Sequence, residues 1–411
     1  MFNSYRGMPK QAKYLTLAAL LPSIAYGMFY TDISYFLTTV QGVSADLMGF
    51  VITVMGVSTF AASILLGVVA DIYGRKKMLI AGNVLASLIL AVFALTTNPA
   101  ILLIAAILEG ISEGAAIASS SALLAEKAGN EKRTSVFSLY AFAQSIAWGI
   151  GSLSVPAIII FELSGFTNKD SHVILYVLLA ILSLFSTLIM LKVEESKRPK
   201  KARASIKDFF PKKSRDILLK YVITGAIVAF GAGMVVPIMT LWFNLQYGIS
   251  DTISSPILAV SSILIGAATL IAPMAAKRFG LVKAVVITQG ASTVFMFLMP
   301  LSPNYAIAGL VYSMRALLMN MASPLSQSMI MGLVAEDERG AASGISGALW
   351  RLPNALSTVI GASLMGIGLL SEPFFIATLL YVISITLFWF YFRNTRMPEE
   401  QNPSSKTAFS T

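Results

Sequence analysis

Long apolar runs, each closed by a short polar or charged stretch, recur along the whole chain. A helix needs about 20 consecutive apolar residues to cross a bilayer, because every backbone amide must find its partner inside the segment. The turn Thr97-Asn98-Pro99 divides one double-length run into two helices. The pattern predicts twelve membrane-spanning helices, at about residues 14–40, 47–70, 78–97, 100–125, 135–161, 172–193, 218–246, 252–276, 283–301, 304–333, 341–368 and 373–392.

Composition supports this prediction and excludes a soluble globule. Of 411 residues, 56% are hydrophobic and 12% are charged, against about 25% charged residues in an ordinary soluble domain. The chain has no cysteine, so disulfides and thiolate metal sites are excluded. The first apolar run is not followed by a small-residue cleavage site, so it is interpreted as a retained helix. No nucleotide-binding motif is present and no cofactor is expected.

The net charge of +10 is unevenly placed along the chain. Of the 30 Lys and Arg residues, all but Lys169, Arg315 and Arg351 fall in the tails or at alternate ends of the predicted helices. This bias is the positive-inside pattern of membrane proteins rather than a nucleic-acid-binding patch. It predicts a multi-pass protein of the cell membrane, with both termini and the central loop in the cytoplasm.

The two halves of the chain resemble each other at a constant offset of 206 residues, without gaps. An even number of helices per copy gives both copies the same orientation, with the solute site between them near the middle of the membrane. We therefore predict an all-α integral membrane fold of two pseudo-symmetric six-helix bundles. The predicted units are a first bundle at 1–193, a basic linker at 194–216, a second bundle at 217–393 and a tail at 394–411. The matched pairs are Gly27/Gly233, Met28/Met234, Gly42/Gly248, Ser44/Ser250, Ala61/Ala267, Gly74/Gly280, Lys77/Lys283, Asn98/Asn304 and Arg133/Arg339.

One loop carries a recognisable motif. Between the second and third predicted helices the chain reads Gly67-Val-Val-Ala-Asp71-Ile-Tyr-Gly74-Arg75-Lys76-Lys77, and a degenerate copy follows at 276–283. This stretch resembles the G-x-x-x-D-x-x-G-R-K-K loop of the major facilitator superfamily. The resemblance implies the two-bundle transporter fold and a charge latch that closes the cytoplasmic side. In this latch, Glu126 and Arg133 are the expected partners of the loop.

The resemblance to the proton-driven exporters of that family is partial. Those exporters often carry an arginine in the fourth helix, four residues before a glycine, where this chain has Ala106 before Gly110. Their Gly- and Pro-rich fifth helix is matched only by Gly149, Gly151 and Pro156. The sequence leaves the subfamily open.

Five ionisable residues fall inside predicted helices: Asp32, Glu109, Glu113, Arg315 and Arg351. Each costs about 2.5–3.5 kcal/mol on insertion scales, so residues of this kind usually face a wet cavity and have a function. Glu109 and Glu113 are four residues apart, hence on one helical face. Their mutual repulsion favours proton uptake, which predicts a proton-carrying pair.

The other three charges have alternative interpretations. Arg315 lies 206 residues after Glu109, so we expect the two to face each other across the cavity, either as a gate or as a static ion pair. Arg351 could bind a carboxylate or phosphate of the solute, with Asn354 on the same face. Alternatively, it could pair with an acid such as Asp32, or it could extend to the membrane surface. Asp32 is either a proton or cation site or a solvated group at the outer mouth.

Aromatic and amide side chains complete the candidate site. His172, by contrast, is expected at headgroup level, at the outer end of the sixth helix. The expected cavity-lining residues are Phe29, Tyr35, Gln144, Trp148, Trp242, Asn244 and Trp350.

These features favour a secondary active transporter that works by alternating access, with proton-coupled export of a small organic solute as the first hypothesis. The alternative within this class is a facilitator or symporter for an organic anion, centred on Arg315 and Arg351. An intramembrane enzyme or a non-transporting receptor is a third hypothesis, although no motif groups a nucleophile with a base or a metal cluster. The expected partners are the solute, protons and the lipid bilayer, with no nucleic acid, and the functional unit is expected to be a monomer.

Overall fold

The computed structural model describes residues 8–128, 133–195, 213–335 and 338–394. Within these ranges the chain forms twelve long helices. Two of them are interrupted near a proline: α5 passes through a tight turn at Val155–Ala157 into the short helix Ile158–Leu163, and α7 passes through Val236–Ile238 into Met239–Tyr247. The helices are α1 Lys10–Tyr35, α2 Ala45–Tyr73, α3 Arg75–Leu95, α4 Pro99–Ala128, α5 Arg133–Ser154, α6 Asn168–Leu191, α7 Arg215–Gly233, α8 Asp251–Phe279, α9 Leu281–Leu298, α10 Tyr305–Leu333, α11 Arg339–Gly366 and α12 Glu372–Phe392.

The helices confirm the predicted membrane fold. Eleven of the twelve, all but α11, are long and apolar enough within the described residues to cross a membrane. The outer surface is rich in exposed Leu, Ile, Val and Phe side chains, for example Leu163, which is 84% exposed. A surface of this composition is suited to lipid rather than to water. The remaining helix, α11, packs against α2 and α7.

The duplication is visible in the positions of the helices and in their packing. Helices α2 and α8 begin and end 206 residues apart, at Ala45–Tyr73 and Asp251–Phe279. Helix α2 packs on α4 as α8 packs on α10, and α1 packs on α5 as α7 packs on α11. The contact of α2 with α11 has its counterpart in the contact of α8 with α5. The two bundles are therefore related by pseudo-symmetry, although their predicted boundaries stay a prediction.

The α2–α3 and α8–α9 turns depend on a glycine at the same repeat position. Gly74 has φ +111° and Gly280 has φ +78°, both in the region that side chains other than glycine rarely adopt. Each glycine ends one helix and begins the next, with no further loop residues between them. The second and third helices of each bundle are therefore joined by a sharp, fixed turn.

The two halves meet along a seam of small residues. Gly49 lies against Ala362 and Gly56 lies against Ala355, so α2 and α11 approach closely. The Thr53 hydroxyl also donates a hydrogen bond to the Ala355 carbonyl, at 2.8 Å. Small residues allow helix backbones in a membrane to approach each other, and van der Waals packing then supplies the attraction.

We call the side on which α1 begins and α12 ends the termini side, and the opposite side the far side. On the far side, Thr39 donates to Asn244 Oδ1 at 3.2 Å. Nearby, the Thr240 hydroxyl donates to the Thr31 carbonyl. Each of these bonds joins the first half to the second, so the structure holds the far side closed.

We predict that a methyl group at Gly27 or Gly233 destabilises the bundle to which the residue belongs. A Cβ at Gly27 would collide with the Trp148 backbone, and one at Gly233 would collide with the Asn354 backbone. Overpacking of this kind costs about 1–3 kcal/mol. Gly27→Ala and Gly233→Ala should each lower the thermal unfolding midpoint in detergent.

Gly225→Ala is the matched control, because a Cβ there meets no atom within 4 Å among the described residues. It should leave the midpoint unchanged or raise it, since alanine is a better helix former than glycine. Equal effects of the three substitutions would contradict the proposed close helix contacts.

Candidate functional site

An ion pair joins the two halves at mid-depth of the helices. Arg351 Nη1 in α11 lies 3.1 Å from Glu113 Oε1 in α4. The arginine side chain is 41% exposed and the glutamate side chain is 23% exposed, so the pair is accessible rather than sealed in packing. A partly exposed pair of this kind contributes on the order of 1 kcal/mol or less. It can therefore break without a large cost.

Two hydroxyl groups hold Glu113 in place. Tyr30 of α1 donates to Glu113 Oε2 at 2.9 Å, and Thr59 of α2 donates to the same oxygen at 3.0 Å. One carboxylate oxygen thus receives two neutral donors of the first half, and the other receives the arginine of the second half. Sequence reasoning found both charged residues but neither their pairing nor the two hydroxyls.

Three aromatic rings form a stack beside the ion pair. Tyr30 stacks on Trp148 with ring centroids 5.5 Å apart and planes 17° apart. Tyr26, one helical turn before Tyr30, stacks on its other face at 6.0 Å. The stack has Trp148 of α5 at one end, because Gly27 lets the backbones of α1 and α5 approach. Trp148 was predicted as a cavity-lining residue, whereas the two tyrosines were not.

Glu109 lies one turn from Glu113 and is fully buried. The Tyr26 hydroxyl lies beside it, but neither Glu109 oxygen completes a hydrogen bond within the described residues. Tyr26 and Tyr30 are thus placed along α1 at the same spacing as the two glutamates along α4.

The predicted approach of Glu109 to Arg315 is wrong. Arg315 is buried in the second bundle, where its Nη1 lies 3.4 Å from the Tyr381 hydroxyl and its guanidinium lies over the Tyr312 ring at 5.3 Å. Helices α4 and α10 turn these two side chains into their own bundles, Glu109 toward α1 and Arg315 toward α12. The acid of α4 that meets an arginine is Glu113, and its partner comes from α11.

Several predicted lining residues have structural contacts instead. Trp242 is fully buried, donates from Nε1 to the Leu370 carbonyl at 3.1 Å and packs on Phe374, which corrects its assignment to the cavity wall. Asn244 Nδ2 donates to the Ile249 carbonyl, and Asn354 Nδ2 donates to the Ala229 carbonyl.

The remaining lining candidates are distributed over both halves. Gln144 donates to the Tyr140 hydroxyl at 3.1 Å, and Trp350, next to Arg351, is 45% exposed. Phe29 is fully buried, where it packs edge-on against Tyr30. Phe29 therefore packs against the aromatic stack through Tyr30 and does not line a cavity.

Asp32 and His172 lie deep inside the protein, which corrects two expectations. Both side chains are fully buried, so His172 is enclosed by protein rather than facing lipid headgroups, and Asp32 is not a solvated group at a mouth. The His172 ring packs between Phe36 at 5.3 Å and Tyr35 at 6.4 Å. Its Nε2 lies 3.0 Å from Asp251 Oδ2 of α8. Tyr35, predicted to line the cavity, is thus part of the wall around this histidine.

The motif loop makes a contact that the sequence did not reveal. Glu195, just after α6, accepts a hydrogen bond from the Lys76 backbone at 3.1 Å, and Lys76 Nζ donates to the Leu191 carbonyl at 2.9 Å. Arg75 lies 3.7 Å from Glu126, as the resemblance implied. Lys77 is exposed in the first turn of α3. Gly67 and the side chains of Asp71 and Arg133 lie outside the described residues. The latch roles of these four residues stay predictions.

Comparison with known proteins agrees with this architecture. The family model described as Major Facilitator Superfamily matches residues 15–224 and again 221–410. The uncharacterized membrane protein YJR124C of Saccharomyces cerevisiae is 19% identical over 385 residues, covering 81% of this chain and 86% of that protein.

Two solved structures have the same fold. The nucleoside transporter NupG is 15% identical, with a TM-score of 0.71 over 93% of this chain and 98% of that chain. The xylose transporter XylE from E. coli, in an inward-open conformation, is 16% identical, with a TM-score of 0.72 over 97% of this chain and 99% of that chain. Because the family model covers both halves, the chain belongs to the major facilitator superfamily and is a multi-pass membrane transporter, not an enzyme.

Proposed function

We propose that the chain is a proton-coupled secondary transporter that exports a small organic solute by alternating access. The observation that carries the proposal is the Glu113–Arg351 ion pair, which joins the two halves at mid-depth and is partly exposed. A pair that bridges two moving bodies must break or re-form when they rock. Whatever protonates Glu113, or competes for Arg351, therefore changes the balance between the two orientations.

The neighbouring groups give this pair a route for protons. Protonation of Glu113 removes its charge and weakens its hold on Arg351, while Tyr30 and Thr59 still contact the same carboxyl group. Glu109, one turn away on the same face of α4 and fully buried, is a second carboxyl group. Two carboxyl groups in sequence can hold and pass a proton, which is the usual function of acids inside transporters.

A second candidate function is symport of an organic anion with protons. It is favoured by the exposed fraction of Arg351, 41% of its side chain, since a guanidinium freed from Glu113 offers two parallel donors to a carboxylate or phosphate. The crystal structure of the human organic anion transporter MFSD10 is 17% identical, with a TM-score of 0.61 over 92% of this chain and 100% of that chain. That likeness concerns the fold, and the anion preference is proposed from Arg351 alone.

We propose further that the protein acts as a monomer in the plasma membrane, with its termini in the cytoplasm. The basic residues at the ends of the described helices support this orientation: Arg75, Lys76 and Lys77 begin α3, and Lys277 and Arg278 end α8, all on the termini side. Positively charged ends of this kind remain on the cytoplasmic side of a membrane.

We predict a measurable coupling between Glu113 and Arg351 in a double-mutant cycle. Glu113→Gln and Arg351→Gln should each lower the stability of the purified protein, and the double variant should cost less than the sum. The expected coupling free energy is up to about 1 kcal/mol, because both groups are partly exposed. Thermal unfolding in detergent measures it, and strict additivity would contradict the ion pair.

We predict that Glu113→Gln abolishes solute flux driven by a pH gradient in proteoliposomes, with a loss of at least about tenfold, as expected for removal of a proton-transfer group. Solute-for-solute exchange should persist, because it does not require net proton transfer. Glu109→Gln tests the second carboxyl group in the same assay. Asp46→Asn, an exposed acid in the first turn of α2, is the matched control and should transport normally. Undiminished gradient-driven flux in both glutamine variants would exclude proton coupling through this pair.

We predict that substitution of Arg351 shows whether the solute is an anion. A ligand-stabilisation screen of purified protein should compare organic anions, neutral compounds and cations at several pH values. If the solute is an anion, Arg351→Gln should remove the stabilisation, whereas Arg393→Gln, at the end of α12 and far from the site, should retain it. Stabilisation by anions that is equal in both variants would contradict the second candidate function.

A further inference from the structure

A second cluster of ionisable side chains lies outside the ion-pair site, toward the far side. It consists of Asp32 in α1, His172 in α6 and Asp251 in the first turn of α8. The three side chains are 0–1% exposed, and one potential ligand atom from each lies within 4.8 Å of the other two. Asp32 and His172 belong to the first half and Asp251 belongs to the second, so the cluster bridges the two bundles.

The hydrogen bonds of His172 determine which of its nitrogens faces the acids. Nδ1 lies 2.8 Å from the Asn168 carbonyl, which can only accept, so Nδ1 carries a proton. Nε2 points to the two carboxylates, 3.0 Å from Asp251 Oδ2 and 4.0 Å from Asp32 Oδ1. In protein metal sites, a histidine is commonly oriented in this way: Nδ1 donates to a backbone carbonyl, and Nε2 is free to bind the metal.

The cluster contains more acceptor capacity than the described residues satisfy. Both Asp32 oxygens, Asp251 Oδ1 and the Tyr176 hydroxyl are buried and have no hydrogen-bond partner there. Leaving buried carboxylate oxygens unpaired costs several kcal/mol per charged group. Two carboxylates and a neutral imidazole are balanced in charge by one divalent cation, which would also fill the unused oxygen positions.

We propose that Asp32, His172 and Asp251 form a binding site for a divalent transition-metal ion of the Zn²⁺ type. One nitrogen and two carboxylate oxygens match the ligand preference of Zn²⁺, which binds such atoms at about 2.0–2.2 Å. The Tyr176 hydroxyl or a water molecule completes the coordination. The stacked rings of Phe36 and Tyr35 hold the imidazole in the required orientation.

The site has a mechanical consequence because its ligands come from both halves. A metal ion bound by all three residues ties α8 to α1 and α6 and keeps the far side closed. Opening of the far side removes Asp251 from the other two ligands and weakens the site. The ion therefore acts as a clamp on one orientation of the transporter, independently of the proton coupling proposed for Glu113.

The test uses the fact that His172 is the single histidine in the chain. Full-length protein, freed of any affinity tag and of metal, is labelled with ¹⁵N-histidine and titrated with ZnCl₂ in detergent at constant pH. Zn²⁺ should bind at one site per chain by calorimetry, and the ¹⁵Nε2 resonance should shift with the same saturation.

Asp32→Asn and Asp251→Asn keep the shape of each side chain and remove one anionic ligand. Each should weaken Zn²⁺ binding by at least about tenfold, since even partners outside the coordination shell cost 10–100-fold. Asp170→Asn, an exposed acid on α6 next to the cluster, is the control and should bind Zn²⁺ like the unmodified chain.

Three results would overturn the proposal. The first is an imidazole resonance that does not respond to Zn²⁺, including one that responds to pH alone, which would make the cluster a proton site only. The second is unchanged affinity in both Asp32→Asn and Asp251→Asn. The third is equal loss in Asp170→Asn, which would indicate surface binding. None of these measurements depends on transport, so they leave the proposed function to its own tests.

Discussion

A charge among apolar helices must find its partner inside the protein, and this constraint organises the structure. Lipid offers no hydrogen bonds, so each intramembrane charge is expensive unless protein groups or enclosed water compensate it. The protein meets the constraint in different ways. Arg315 is surrounded by tyrosines within one bundle. Glu113 and Arg351 neutralise each other between bundles. Asp32 and Asp251 share one imidazole between bundles, which leaves some of their carboxylate oxygens unpaired among the described residues.

The last two arrangements lie between the halves. When the halves move relative to each other, these charged groups must therefore change partners. The seam also contains small residues, such as Gly49 against Ala362, and isolated hydroxyl-to-carbonyl bonds, such as Thr53 to Ala355. Van der Waals contacts of this type are individually weak and can be exchanged without leaving a buried charge unpaired. The fully buried charges of Asp32, His172 and Asp251 cannot be exchanged so cheaply, whereas the partly exposed Glu113–Arg351 pair breaks at low cost once a proton or another partner compensates it. The energy difference between the two orientations therefore depends strongly on the few ionisable groups at the seam.

The sequence predicted the helices and the duplication, and it singled out five ionisable residues inside helices, but it missed Asp251 and the burial of His172. The helices and the duplication follow from local rules, namely apolar length, a fixed offset and glycine at turns such as Gly74 and Gly280. Which charges meet was not predictable in the same way. Glu109 was expected to face Arg315 because the two occupy equivalent repeat positions, but equivalent positions face each other only if their side chains point toward the symmetry axis. The rotation of α4 and α10 directs them away from it.

The burial of His172 was missed for a similar reason. Counting residues placed it at the end of a helix and therefore near the membrane surface. The extra turn Phe36–Val40 extends α1 past this position, and Phe36 covers the imidazole ring. Burial in this case depends on a neighbouring helix, about which the periodicity of α6 contains no information. Functional contacts between distant segments of the chain remain the part of a structure that a single sequence reveals least.

The duplicated glycines of α1 and α7 show how a pseudo-symmetric scaffold can have chemically different halves. Gly27 abuts Trp148 and Gly233 abuts Asn354, so the same backbone crossing presents an indole in one bundle and an amide in the other. The Trp148 indole belongs to the stack with Tyr30, whereas the Asn354 amide donates to the Ala229 carbonyl inside its own bundle. The duplication thus keeps one close helix crossing and gives it different side-chain chemistry in each bundle, so the two flanks of the seam are not interchangeable.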